Sequence, residues 1–501
     1  MKYSCHAKEW TGRARDAEGM ECTMQYHKFD ITNDYPVVII GAGPVGLAAA
    51  AHLVERNLPF VVLERGASVG ASMLAWGHVA LFSPWQYCVD PSAAQLLATT
   101  GWQAPAPDTF PTGADMVQHY LRPLADVPAI AAALRCNVEV LQVSRRGMHK
   151  GDSHGRTQQP FALQIRHGDG RSEVMLAGAV IDASGTYTMP NPLGAAGIPA
   201  IGEQAAQAHC FYGIPHISGQ DAARYAGKRV AVVGSGHSAF QALLELLDLQ
   251  HQHPATTIVW VVRRSADRLD AVYGGGTNDA LPERGALGQR VRAAVDARRI
   301  RVVCEWRTDR VDVTSAGVVL VSNARELDPV DEIVVTTGFR PNIQMLRELR
   351  MALDEIVEAP RTLAPHIDPN LHSCGTVPPH GVQELSHPEV GVFVVGMKSY
   401  GRAPTFLLLT GYEQVRSVVA ALAGDWQAAL TVELMLPETG VCSGPSGDAC
   451  CAPATTLALT DACCTPAPTT LALTDACCVP ARATTTLDIA LVGDAPPQRC
   501  C

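Results

Sequence analysis

The sequence predicts an α/β fold on mostly parallel sheets, with one strand–turn–helix unit inserted into another. Three observations predict it. An apolar run, Val37 to Ile40, leads into Gly41-Ala-Gly43-Pro44-Val-Gly46 and a helical stretch, Leu47 to Arg56. A second run, Val230 to Val233, leads into Gly234-Ser-Gly236-His237-Ser238-Ala239 and a helical stretch, Ser238 to Asp248. Short apolar strands then alternate with helical stretches, as βαβ units with parallel pairing require. Each glycine turn has the order and spacing of the Rossmann dinucleotide fingerprint, so two dinucleotide-binding domains are expected.

The elements come in order. Residues 1–34 are polar and unpatterned and lack an apolar signal-peptide core, so they read as an N-terminal extension. Phe60 to Leu63 is the second strand of the first unit. Phe161 to Ile165 and Glu173 to Leu176 read as a small antiparallel layer, and Ala179 to Asp182 as a return to the main sheet. In the second unit, Ile258 to Val262, Arg301 to Cys304 and Glu332 to Thr336 read as strands. Val392 to Val395 is a strand before Gly396. Thr405 to Ala423 reads as a helix, with Thr405 as N-cap and Gly424 just past its end. The first domain is thus 35–220 plus 338–434, the inserted domain 221–337, and a tail runs over 435–501.

The two turns differ in the residues at the next strand end. In the first, Gly41 allows the tight turn, Gly43 the approach of backbone to a pyrophosphate, and Gly46 close helix–strand packing. The helix N-terminus supplies N–H groups to the phosphates. The next strand ends on Glu64, whose carboxylate suits a free ribose 2′-hydroxyl, as in FAD. The strand after the second turn ends on Arg263 and Arg264, which match a 2′-phosphate and so point to NADPH. His237 either touches the nicotinamide or fills the turn. Pro44, Arg65, Trp85, Ser184, Gly185, Gly338 and Gly396 complete the expected cofactor contacts.

Composition bounds the rest. Lys plus Arg is 39 and Asp plus Glu is 49, a formal charge of -10, which disfavours nucleic acid and anionic membranes as partners. No apolar stretch approaches the roughly 18–20 residues needed to span a bilayer. A cytoplasmic location is expected; the oligomeric state is not legible.

Gly41 to Gly46 with Glu64, Asp182-Ala-Ser184-Gly185-Thr-Tyr187, Gly234 to Ala239 and Thr336-Thr-Gly338-Phe-Arg-Pro-Asn342 occur in this order. Over about Val37 to Leu434 the chain resembles NADPH-dependent flavoprotein monooxygenases of class B, the flavin monooxygenase-like group. Ser184-Gly185 and Thr337-Gly338 would be its crossings between domains. The resemblance implies that NADPH reduces FAD, and that reduced flavin and O2 oxygenate a soft nucleophile. That group's linker motif, F-x-G-x-x-x-H, is shortened here to Phe211-Tyr-Gly213-Ile-Pro-His216. Trp76 to Trp85, Tyr273 to Gly288 and Gly396 to Arg416 are similar to flavoproteins encoded with arsenic-resistance genes.

Lys398, Tyr400 and Arg402 precede the last helix and are the catalytic candidates, since a cation near flavin stabilises developing negative charge. Trp76, His78, Phe82 and Trp85 either line the flavin or pack in the core. His366, His372, Cys374, His380 and His387 fit no compact zinc spacing and read as a polar loop.

Sixteen cysteines are present. Cys5, Cys22, Cys88, Cys136, Cys210, Cys304 and Cys374 are scattered. Cys442, Cys450, Cys451, Cys463, Cys464, Cys477, Cys478, Cys500 and Cys501 crowd the tail, mostly as adjacent pairs in Thr/Ala/Pro-rich repeats that cannot bury a core. Paired thiolates chelate soft ions, so a soft metal or metalloid is the expected ligand. Neither C-x4-C nor C-x-x-C occurs in the body, which disfavours dithiol exchange at the flavin. Three functions remain open: an NADPH- and FAD-dependent, monooxygenase-like oxidation of a small-molecule or metalloid substrate, with O2 as partner and trivalent arsenic or antimony leading; a metal-ion or disulfide reductase using the tail thiols; and a non-enzymatic metalloid buffer.

Overall fold

A computed structural model of the chain describes residues 11–15, 21–25, 29 and 31–434, except 275–281, 371–376 and 404–405. The first sheet has five parallel strands in the order Val392–Val394, Ala179–Asp182, Val37–Ile40, Phe60–Leu63 and Leu134–Arg135. Val37–Ile40 is buried along its whole length, as a central parallel strand covered on both faces should be. Helix α1 (Pro44–Glu55) starts with proline at its first turn, where a missing N–H costs nothing. It is apolar nearly all round because it is buried nearly all round, from Val45 to Leu53.

The second sheet is also five parallel strands: Cys210–Tyr212, Glu332–Val335, Arg229–Val233, Thr257–Val261 and Arg301–Val303. Helix α2 (His237–Gln252) packs Phe240, Leu243 and Leu247 onto it. Trp260 is fully buried, and its indole N–H donates to Gly234 O at 2.7 Å, tying the second turn to the neighbouring strand. The last long helix, α3 (Leu408–Leu422), returns to the first unit. There Gly411 lets it approach α1: a Cβ at that position would sit 2.6 Å from Val45 Cγ2.

Several features depart from the expected elements. Cys210–Tyr212, assigned to the first domain by the 220/221 boundary, is an edge strand of the second sheet; three residues are too few to show a period. Leu193, Ala200 and Ala206 also pack in the core beneath that sheet, so the chain changes units near Asn191. The antiparallel layer has a third strand, Val138–Arg145, whose register shifts between Val140 and Gln142; a bulge breaks the alternation that would have announced it. A second antiparallel layer, Arg310–Thr314, Gly317–Ser322 and Arg325–Glu326, adds to the expected elements. The extension, expected to be unpatterned, holds an antiparallel hairpin, Thr11–Arg15 with Glu21–Gln25, whose sequence carries no hydrophobic period. Thr405, the expected N-cap, lies outside the described residues, and α3 begins at Leu408.

The two crossings between units are bound to each other. Asn191 N donates to Gly338 O at 2.8 Å, its side-chain amide to Thr337 O at 3.1 Å, and Thr337 Oγ1 donates back to Asn191 O at 2.9 Å. Among the described residues no helix is long and apolar enough to cross a membrane.

Candidate functional site

A cavity of about 660 Å³ runs along the C-terminal ends of the first sheet's strands, where open α/β sheets hold their ligands. At one end stand Glu64, Arg65 and Val138 to Leu141, with Met345 facing them. At the middle lie Gly41, Gly43, Pro44 and Val45. Met73, Trp76, Leu81, Met397, Phe406 and Leu408 add an apolar part to the lining.

The glycines divide the work. Gly41 has φ +102°, and a Cβ there would meet Ala183 O at 2.9 Å. A Cβ on Gly46 would lie 2.0 Å from Gly41 O, so the turn and α1 are in backbone contact. A Cβ on Gly43 would meet nothing within 4 Å, which leaves open space beside the helix N-terminus. That space, the α1 dipole and the unsatisfied N–H groups fit a pyrophosphate. The Glu64 carboxylate is held at both oxygens. Oε2 accepts from Ala42 N at 2.8 Å and Oε1 from Gly66 N at 2.7 Å. The donor set, the volume of the cavity and its apolar lining residues therefore fit FAD, with Glu64 placed to meet the ribose.

Lys398 lines this cavity, but its charge is already matched. Nζ donates to Asp182 Oδ2 at 2.7 Å and to Ser184 Oγ at 3.0 Å, and the pair is 1% and 0% exposed. Ser184 N and Oγ both donate to the other Asp182 oxygen, at 3.1 and 2.6 Å. The picture of a free cation beside the ring thus gives way to a neutral, fully bonded cluster under the first crossing. Tyr400 is buried against Phe406 and His380, and burial pushes its phenol up. Arg402 pairs with Glu358 at 2.9 Å near the surface. Neither is among the described residues that line the cavity. Trp85 is 5% exposed and packs in the first core; Trp76 and Leu81 from the same stretch line the cavity in its place.

The remaining cofactor candidates fall in three places. Ser184, Gly185 and Gly396 line the cavity, and so does Ser238 from the second glycine turn. Gly338 neighbours Phe339, which lines it and packs on Tyr187 with ring centroids 5.1 Å apart. Ser238 and Gly213 of the second unit line the cavity together with Tyr187 and Phe339 at the crossings. Gly234 has φ +136° and sits against Thr336, where a Cβ would meet Thr336 O at 2.4 Å; Gly236, like Gly43, opens onto free space. Ala239 is buried where the first unit has Gly46. His237 opens α2 and packs against Phe82 at 5.3 Å and Phe240 at 6.0 Å. Arg263 and Arg264 are exposed beyond the Thr257–Val261 strand, as a 2′-phosphate site on the second sheet would have them.

Several cavity residues escape a reading of the sequence: Met73, Val138 to Leu141, Tyr187, Ile214, Met345 and Phe406. They are mostly apolar groups spread over separate segments, and no local spacing joins them. The tail cysteines Cys442, Cys450, Cys451, Cys463, Cys464, Cys477, Cys478, Cys500 and Cys501, with His372 and Cys374, lie outside the described residues. Cys88, Cys136, Cys210 and Cys304 are free thiols, and none of them lines the cavity.

Comparison with known proteins agrees with this geometry. An indole-3-pyruvate monooxygenase, YUCCA1, of Oryza sativa subsp. japonica is 30% identical over 217 residues, covering 42% of this chain and 44% of the rice protein. The match thus spans less than half of that relative. Among solved structures, the bacillithiol disulfide reductase of Staphylococcus aureus aligns with a TM-score of 0.53 at 16% identity, covering 79% of this chain and 99% of that one. The ornithine hydroxylase of Pseudomonas aeruginosa aligns with a TM-score of 0.52 at 15% identity, covering 79% and 100%. At such identities these two report the fold. The family model described as pyridine nucleotide-disulphide oxidoreductase matches residues 38–374, and the chain belongs to that family, as a flavin-dependent oxidoreductase that uses FAD and NADPH.

Proposed function

We propose that the chain oxidises a soft, thiophilic small molecule at the expense of NADPH and O2, with trivalent arsenic or antimony as the leading substrate. One observation carries this reading: none of the free cysteines of the described body lines the cavity, while the tail sequence holds repeated vicinal cysteine pairs. A dithiol in the cavity would take electrons from the flavin; paired thiols elsewhere in the chain instead suit capture of a thiophilic ion. The reaction balances. NADPH supplies two electrons and As(III) two more, O2 accepts all four, one oxygen atom goes to arsenic and the other leaves as water.

Bound FAD would accept hydride from NADPH and make electrons available to O2. The chain's own groups do the rest. Glu64 accepts from the ribose, and the turn from Gly41 to Gly46 carries the pyrophosphate on the α1 N-terminus. Met73, Trp76, Leu81, Met397, Phe406 and Leu408 keep water from the reacting end. Lys398 and Ser184 line the cavity, with the Lys398 charge matched by Asp182 behind them. Arg263 and Arg264 select NADPH.

The family description favours a second reading, reduction of a disulfide or thiol-bound metal ion through the tail. One experiment separates the two. NADPH and O2 uptake are measured for the full chain and for a chain ending at Pro437, with arsenite, antimonite, Hg(II), a disulfide and an organic sulfide. Acceleration by arsenite or antimonite, with pentavalent product and an O2 requirement, is expected. Anaerobic turnover with Hg(II) or the disulfide, lost on truncation, would establish the second reading instead. Stoichiometric metalloid binding without turnover would mean a buffer.

A further inference from the structure

The segment from Trp76 to Trp85 does two things at once. Trp76 and Leu81 line the FAD cavity, while the residues between and beyond them touch the second unit. His78 lies with its ring 4.4 Å from that of His216, nearly parallel at 12°. His216 is the histidine of the shortened linker motif. A Cβ on Gly219 would come within 2.4 Å of its ring, so the ring rests directly over that glycine. His78 Nε2 lies 3.9 Å from Glu245 Oε1 on α2, beyond hydrogen-bond reach, and has no hydrogen-bond partner among the described residues although it is buried. Glu245 is itself held, with Oε2 accepting from Ser218 N at 3.1 Å and Oε1 from Gln241 at 3.2 Å. Four residues on from His78, Phe82 meets His237 at the start of α2.

We propose that His78 is a positioning residue for hydride transfer, seating the NADPH-binding unit on the flavin cavity through its stack on His216 and its approach to Glu245, and that the seated arrangement requires a neutral His78 ring. The charged and titratable groups that face it are Glu245 on α2 and His216 and Asp221 on the linker. Burial lowers the His78 pKa below 6.5. His216 acts in the same direction; Glu245, the Pro215 carbonyl and Asp221 oppose it. A seam that holds the pKa below that of a solvated imidazole is, by linkage, opened by protonation. As pH falls below about 6.5 the unseated arrangement gains, by up to about tenfold per pH unit, the limit for a single proton taken up on opening. Because Trp76 and Leu81 flank His78, the same event reaches the apolar part of the cavity lining.

The test needs only the holoprotein and NADPH, so it stands apart from the metalloid reading above. Anaerobic reduction of bound FAD by NADPH is followed from pH 5 to pH 8, together with hydrogen exchange of residues 76–85 and 237–252 corrected for its intrinsic pH dependence. In the native chain, reduction should slow and exchange should rise below pH 6.5. His78→Phe, which keeps an uncharged ring in the stack, should abolish both changes. Glu245→Gln, which removes the carboxylate that favours the charged ring in the seated arrangement, should leave the onset near pH 6.5 and deepen both changes at the acid end. If His78→Phe loses FAD, the depth of the acid changes in Glu245→Gln decides. Superimposable pH profiles for the native chain and both variants, in rate and in exchange, would overturn the proposal, as would shallower acid changes in Glu245→Gln than in the native chain.

Discussion

The two glycine turns are alike in backbone and unlike in surroundings. Behind the first, a buried ion pair, a carboxylate with both oxygens bonded, and a helix in contact with the turn leave little to rearrange. Behind the second, Ala239 replaces the third glycine, and the groups meant for the nucleotide, Arg263 and Arg264, stand in solvent. The first site is built as part of a core. The second is built on a surface, as a site must be when its ligand arrives and leaves in every cycle. In the function proposed above the same fingerprint serves a resident cofactor and an exchanging one, and the neighbours decide which.

The sharpest way to break the contrast is to open the buried pair. Lys398→Met leaves the Asp182 carboxylate uncompensated and should cost about 3–5 kcal/mol, read as a lower urea midpoint with loss of flavin absorbance. Adding Asp182→Asn should recover much of it, since the pair is then removed rather than broken. Next comes Gly46→Ala. Its methyl group would sit 2.0 Å from Gly41 O, and backbone cannot yield as a side chain can. A loss of about 3 kcal/mol and a largely flavin-free protein on gel filtration are expected.

The surface site should respond differently. Arg263→Ala with Arg264→Ala should raise KM for NADPH roughly tenfold, about 1.4 kcal/mol, with KM for NADH and FAD content unchanged. Equal losses with both nucleotides would mean that these arginines do not read the 2′-phosphate. The smallest effect belongs to Ala239→Gly. It restores the glycine of the first turn in a place already packed around a methyl, and should cost under about 1 kcal/mol through helix propensity, visible only as a small drop in melting temperature.

Much of this contrast was legible in the sequence, and the limits have physical causes. Gly41 and Gly46 announce themselves because the turn leaves no room for a Cβ, and Gly43 and Glu64 because they complete the fingerprint's spacing. Arg263 and Arg264 do so because a charge at a strand end faces solvent. The partner of Lys398 was hidden: Asp182 is 216 residues away, and only the pairing of Val392–Val394 with Ala179–Asp182 brings the two together. The apolar lining was hidden for the same reason, and so was Cys210–Tyr212, whose place is set by Glu332–Val335 and not by its own three residues. Local chemistry shows in sequence; chemistry assembled across sheet order does not.

The tied crossings at Asn191 and Thr337 bear on how the chain is made. The first sheet lacks its edge strand until Val392–Val394 has been synthesised, and α1 lacks its cover until α3 emerges. The inserted unit, by contrast, is complete once Glu332–Val335 leaves the ribosome. The order of assembly should thus invert the order of the sequence, with the second unit setting first and the cofactor's home closing last. A nascent chain arrested near residue 380 should protect the second unit from protease and hold no flavin; the same chain arrested beyond residue 460 should hold it. Protection that appears first in residues 37–63 would reverse that order.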